Sequence, residues 1–129
     1  MERVLYRSDA AESVSTQDVL DIIAASERNN PKREITGFLI YDSDRFLQLL
    51  EGPPLEVEAL LGEIAGDDRN VGMEILLSET AEKRWFPDWS MKRLISFGSI
   101  PAQEELRAVL GDGNGGQAIL DEVNRFLDS

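Results

Sequence analysis

Among residues whose type and spacing could do chemistry, Gln48 comes first. It lies in Phe46-Leu47-Gln48-Leu49-Leu50, where strand alternation puts its amide on the same face as Phe46 and Leu50. A buried primary amide carries two donor hydrogens and an acceptor oxygen. Leaving such groups unpaired costs about 1–3 kcal/mol, so Gln48 must have partners, either protein groups or a polar ligand. Tyr6 sits in another apolar strand-like segment, and a buried tyrosine hydroxyl normally finds a hydrogen-bond partner. If the two segments are neighbouring strands facing the same way, that hydroxyl reaches the Gln48 amide. By itself the pair indicates a polar network crossing the core.

Three further groups carry functional options beside ordinary structural ones. Asn29-Asn30-Pro31 closes a helix, a common duty for Asn, and also offers several amides where a planar ligand with donor and acceptor edges can dock. Asp67-Asp68-Arg69-Asn70 reads as an exposed turn with a local ion pair of small energetic weight, or as a place where Arg69 reaches an anionic or carbonyl-rich ligand. Arg84-Trp85-Phe86-Pro87-Asp88-Trp89-Ser90-Met91 holds both tryptophans of the chain. Such a cluster usually packs a core or an interface; beside a chromophore, Trp and Met are redox-active or polarisable neighbours.

The elements that must position these residues follow from periodicity. Val4–Arg7 reads as a first strand. Ser15, with Asp18 three residues on, starts a helix as a weak capping box, and Val19, Ile22, Ile23 and Ser26 form its stripe, widened by Leu20. That helix runs to about Arg28, and Pro31 is expected to push Asn30 out of the helical region. Ile35–Tyr41 is a nearly continuous apolar run typical of a strand covered on both faces. Asp42-Ser43-Asp44 turns it back into Phe46–Glu51, which Gly52-Pro53-Pro54 stops. Leu55, Val57, Leu60, Leu61 and Ile64 build a second helix ending near Gly66, Met73–Leu77 is a fourth strand, and Trp89–Phe97 supplies a fifth.

The order predicts an α+β fold: a ferredoxin-like β-α-β-β-α-β-β unit with a mixed five-stranded sheet and both helices covering one face. A C-terminal helical extension follows. Glu104, Leu106, Val109 and Leu110 suggest one short helix, Gly111–Gly116 a break, and Ile119, Leu120, Val123, Phe126 and Leu127 a strongly amphipathic last helix. We expect residues 1–97 to form the domain and residues 98–129 the extension of two short helices, with no separate output domain.

Composition narrows the function. With 129 residues and 42% hydrophobic residues the chain fits one compact domain. Its formal net charge of −12, from 25 acids and 13 bases, repels nucleic-acid backbones and anionic membranes alike. No apolar run approaches the roughly 20 residues that cross a bilayer, and Met1-Glu2-Arg3-Val4 opens as a strand rather than a signal peptide. The absence of Cys and His removes disulfides, thiolate nucleophiles, Cys/His metal sites and the usual imidazole base. It also excludes light sensing through a cysteinyl–flavin adduct, and it makes a reducing cytoplasm the expected location. No glycine-rich nucleotide fingerprint occurs and no acid pair can be assigned general acid and base roles, so we expect no enzyme.

Taken in order, these segments resemble the BLUF family, sensors of blue light using flavin, from Arg3 to about Ser96. The residues that carry the resemblance are Tyr6-Arg7-Ser8, Asn29-Asn30, Ile35-Thr36-Gly37, Phe46-Leu47-Gln48 with Leu50-Glu51-Gly52, Asp67-Asp68-Arg69, and the run Arg84–Met91. The resemblance, to the short stand-alone type, implies a non-covalent flavin between the two helices, with FAD, FMN or riboflavin as its forms and FAD favoured. It implies that Tyr6 and Gln48 are the photoactive pair, light driving electron and proton transfer from Tyr6 through Gln48 and leaving the amide rotated or tautomerised. Asn30 then looks like the residue bonding the isoalloxazine amide edge, with Asn29 beside it. Arg69 and Asp67 look like contacts to the pyrimidine edge or ribityl region, and Ile23 like a wall of the ring. Ser8, Trp89 and Met91 look like the residues that pass the change on, to a separate protein partner or through a homo-oligomer interface. A light-independent ferredoxin-like module binding another ligand or protein is the alternative, and a small enzyme on the same fold a more distant one.

Overall fold

Ser15 starts the first helix as its spacing to Asp18 demands. Its hydroxyl accepts from the Asp18 N–H at 3.1 Å, and the Asp18 carboxylate accepts from the Ser15 N–H at 2.9 Å. Around this helix the chain runs β1 (Glu2–Ala10), α1 (Thr16–Asn29), a 3₁₀ turn (Pro31–Arg33), β2 (Thr36–Asp42) and β3 (Arg45–Gly52). It continues through α2 (Pro54–Ala65), β4 (Asn70–Thr80), β5 (Ser90–Ile95) and α3 (Gln117–Asp128). The computed structural model describes residues 1–42, 44–87, 90–95, 104, 106–108, 110 and 116–128, without the side chains of Thr16, Ile23 and residues 90–95. Residues 104, 106–108 and 110 are helical, and Val109 lies outside the described residues.

The strands form one five-stranded sheet in the order β4-β1-β3-β2-β5. All neighbours are antiparallel except β2 and β5, so the sheet is mixed. Alternation divides the inner strands between two cores. Val4, Tyr6, Leu39, Phe46 and Leu50 pack with Val19 and Ile22 of α1 and with Val57, Leu60, Leu61 and Ile64 of α2. On the other face Leu5, Phe38, Ile40, Leu47 and Leu49 pack with Phe86, Leu106, Leu110 and the α3 residues Ile119, Leu120, Val123 and Phe126. Helices α1 and α2 therefore both cover one face, and the apolar stripe of the tail packs on the second face of its own sheet. Each large side chain buried in this way contributes about 1.5–3 kcal/mol.

Several local expectations change. Asn30 keeps helical angles (φ −63°, ψ −39°) despite the proline after it. The 3₁₀ turn continues the helical path, and the Asn30 carbonyl accepts from the N–H groups of Arg33 and Ile35, each at 3.0 Å. The chain leaves helical space only at Glu34, with φ 58°. Leu20 and Leu55 are exposed, at 37% and 80%, and do not belong to their helices' apolar stripes. In α2 the stripe is Val57, Leu60, Leu61 and Ile64, and Leu55 lies about 200° round the helix from Val57. β1 and β4 are longer than their apolar centres because backbone pairing continues past the last buried side chain. Asn70 both closes the turn, its N–H donating to the Asp67 carbonyl at 3.0 Å, and begins β4, and β5 is described as Ser90–Ile95.

Candidate functional site

Tyr6 and Gln48 are directly opposite in the β1–β3 ladder. Their side chains point to the helix-covered face, and the Tyr6 hydroxyl donates to Gln48 Oε1. Both are almost fully buried. Burial pushes the Tyr6 hydroxyl well above the ordinary tyrosine range, because the phenolate would be stranded in an apolar surround.

The pair lies on the floor of a cavity of about 480 Å³ between α1 and α2, in the range of small-molecule sites. Leu39 and Phe46 complete the floor, Ile22 and Ala25 come from α1, and Leu60 and Ile64 come from α2. The shape is a slot with apolar walls and a polar end. Asn29, Asn30 and Ser26 line it at the C-terminus of α1, and Asp67, Arg69 and Asn70 at the start of β4.

Asn30 is 1% exposed, and its Nδ2 has no partner among the described residues. An orphaned buried donor of this kind costs about 1–3 kcal/mol. The backbone of Asn30 does the helix-ending work, and its side chain lines the slot. A planar ring with a carbonyl edge fits an apolar slot that has an orphaned amide donor at one end.

Asp67 and Arg69 form a local pair: Arg69 Nη2 donates to Asp67 Oδ2 at 2.6 Å, and Nε donates to Oδ1 at 3.0 Å. The guanidinium's hydrogen bond holds the Asp67 carboxyl below the usual range, and Asp67 likewise raises Arg69. The ion-pair reading and the ligand reading of this turn are thus compatible, since the clamped Arg69 still lines the slot. Ser8 is buried off the cavity, and its Oγ donates to Asn70 Oδ1 at 3.1 Å, one hydrogen bond from the wall.

Ile23 lies on α1 with its side chain outside the described residues. Trp89 is outside them altogether, and Met91 is placed in β5 by its backbone alone. Sequence reasoning passed over Lys32 and Arg33, which line the rim from the 3₁₀ turn; Arg33 bridges to Glu63 of α2 at 2.6 Å. Two basic residues straight after Asn29-Asn30-Pro31, in so acidic a chain, were the available signal.

The class defined by fold and site is a ferredoxin-like α+β domain with an apolar slot beneath two helices, over a tyrosine–glutamine pair. A model of the BLUF family, described as sensors of blue-light using FAD, matches residues 1–92, and the chain belongs to this family. It is 29% identical over 110 residues to the blue light- and temperature-regulated antirepressor BluF of Escherichia coli K12, covering 85% of this chain and 27% of that protein. The chain thus spans about a quarter of that relative's length. Among solved structures, the dark-state BLUF protein BlrB superposes with a TM-score of 0.73 at 27% identity, covering 98% of this chain and 95% of that one. The photo-activated state of BlsA gives 0.75 at 26%, covering 99% and 95%.

Proposed function

We propose that this chain reports blue light through a flavin held in the slot between α1 and α2, with Tyr6 and Gln48 as the photoactive pair. The observation that carries this reading is the Tyr6–Gln48 hydrogen bond on the floor of a cavity whose polar end holds the Asn30 amide, its Nδ2 without a partner among the described residues. Bound flavin supplies absorption of blue light and, once excited, an acceptor for an electron and a proton. Tyr6 is the donor of both: burial keeps its phenol protonated, and its O–H is aimed along an existing hydrogen bond. Gln48 is the element with two positions. A primary amide can exchange its donor and acceptor ends in place, so the network can be bistable without any covalent change.

Around the pair, Asn30 would hold the ring through the Nδ2 hydrogens of its amide, with Asn29 beside it. Arg69, clamped by Asp67, faces the pyrimidine edge or the ribityl chain, and Ile23 walls the ring. Ser8, Trp89 and Met91 carry the change away from the site. FAD, the flavin of the family's description, is the form we assign over FMN or riboflavin. Residues 1–97 act as the photosensor and residues 98–129 as a helical extension. The chain works as a sensor in the cytoplasm, without turnover chemistry of its own, and signals to a separate protein partner or through a homo-oligomer. Among the described residues, no helix is long and apolar enough to cross a membrane.

The test is spectroscopic. The purified protein should be yellow, and blue light should shift its absorption reversibly to longer wavelength. Gln48→Leu and Tyr6→Phe should keep the colour and lose the shift. A colourless protein that takes up no added flavin, or a Gln48→Leu variant that shifts as the parent does, would overturn the reading.

A further inference from the structure

Three residues along the ladder that joins Tyr6 to Gln48, Arg3 faces Glu51 on the opposite side of the sheet. Glu51 is fully buried and Arg3 nearly so. Arg3 Nε donates to Glu51 Oε2 at 2.9 Å, Nη1 to Glu79 Oε1 at 2.7 Å, and Nη2 to the Lys83 carbonyl at 2.7 Å. Its guanidinium carbon lies 3.5 Å from the centre of the Trp85 ring. Among the described residues, the other donors to the Glu51 carboxylate are the backbone N–H groups of Trp85, at 2.9 Å to Oε2, and of Phe86, at 2.8 Å to Oε1. Arg84 fastens the same strand end, donating to the Glu51 carbonyl at 2.9 Å and to Thr36 Oγ1 at 2.8 Å.

Burying a carboxylate is costly unless charge and hydrogen bonds compensate it, and an apolar pair in the same space often stabilises as well. Stability alone is therefore a weak reason for Arg3 and Glu51. What the pair does specifically is hold the connection from β4 to β5. Trp85 and Phe86 lie between those strands, and Glu51 supplies acceptors to two successive amides there. Phe86 in turn meets the Phe38 ring edge-on, 5.3 Å between centres, in the core shared with α3. Strands β1 and β3 thus carry two in-register side-chain pairs on opposite faces, Tyr6–Gln48 toward the slot and Arg3–Glu51 toward the β4–β5 connection. A displacement of one strand against the other moves both pairs, because the ladder between them is continuous.

We propose that Glu51, held by Arg3, is a positioning residue that transmits rearrangement of the Tyr6–Gln48 pair through the sheet to Trp85 and Phe86, and from there to β5 and α3. This rests on the reading above that the pair rearranges in light.

Hydrogen exchange of the flavin-loaded protein, dark against illuminated, tests it. In the parent, peptides covering residues 84–95 and 117–128 should exchange differently in the two states. Glu51→Gln keeps the shape and one acceptor oxygen; it should retain colour and red shift but lose the light–dark difference in those peptides. Arg3→Lys keeps the charge but loses the guanidinium fork and its stacking, and should do the same, so that either folded variant suffices. A purely structural role would alter stability and dark exchange and leave the light–dark difference standing. Either variant shifting red with that difference intact overturns the proposal. So does a parent that shifts red with no exchange difference at residues 84–95. Absence of a red shift in the parent would instead overturn the photoactive pair itself.

Discussion

Tyr6 and Gln48 are in-register partners across β1 and β3, and the Tyr6 hydroxyl donates to the Gln48 side-chain oxygen inside the core. The bond joins a group whose proton is hard to remove by solution chemistry to an amide that can turn end for end. Neither side chain is stranded in the core, and both line the slot. The proposed roles of the surrounding residues turn on this contact.

The orphaned Asn30 amide separates ligand binding from stability. Asn30→Leu removes a donor that has no partner among the described residues, so a flavin-free preparation should melt at the same or a higher temperature. Flavin affinity should fall about tenfold or more, the equivalent of one lost hydrogen bond. Fluorescence titration of the apoprotein and a thermal melt read the two effects. Unchanged affinity would remove Asn30 from the binding set.

Alkaline titration reports the environment of Tyr6. Its folded pKa is raised above the unfolded value, so the associated stability is fully present below the ordinary tyrosine pKa and is lost as pH rises through the folded one. Tyr41 is also raised, by partial burial and then by its bond to Asp44, and Tyr41→Phe isolates Tyr6. Tyrosinate absorbance of that variant should stay flat through about pH 10 and appear only with alkaline unfolding. An ordinary reversible titration would place the Tyr6 hydroxyl in contact with solvent.

Gly37 should not tolerate a side chain. Its φ is +147°, and a Cβ built there would stand 1.9 Å from the Leu49 carbonyl oxygen. The residue sits where β2 pairs with both β3 and β5, so relief would need strand separation. Gly37→Ala should cost more than about 4 kcal/mol and give insoluble or unfolded protein. Recovery of a folded variant near parental stability would show that the strands can part locally.

The tail should behave as part of the core. Phe126 is buried among strand residues, and the Arg45 guanidinium lies 4.6 Å from the centre of its ring. Phe126→Ala should lower stability by about 3–5 kcal/mol in denaturant titration, with a single cooperative transition. A loss below about 1 kcal/mol would mean that α3 contributes little to the fold.

Much of this architecture was legible in short-range pattern. Ser15 and Asp18 form their capping box because both partners lie within one turn. Alternation correctly put Gln48 with Phe46 and Leu50, since the side-chain period of a strand is two wherever it pairs. Leu20 and Leu55 misled because an apolar residue beside a stripe reads like a member of it, while only the packed partner decides which side is covered. Asn30 misled because the local bias against a helical residue before proline was outweighed by two hydrogen bonds to its own carbonyl.

The sequence by itself determined the order of elements, the faces of the strands and the chemistry available: a phenol, an amide in an apolar strand, and no thiol or imidazole. Only the tertiary structure decided that Tyr6 lies opposite Gln48, that the Asn30 amide nitrogen has no partner among the described residues, that α3 closes the second face, and that Glu51 reaches Trp85 and Phe86. Those facts depend on register and on contacts between residues far apart in the chain. Periodicity says which residues share a face, but pairing between strands is chosen by the packing of the whole domain.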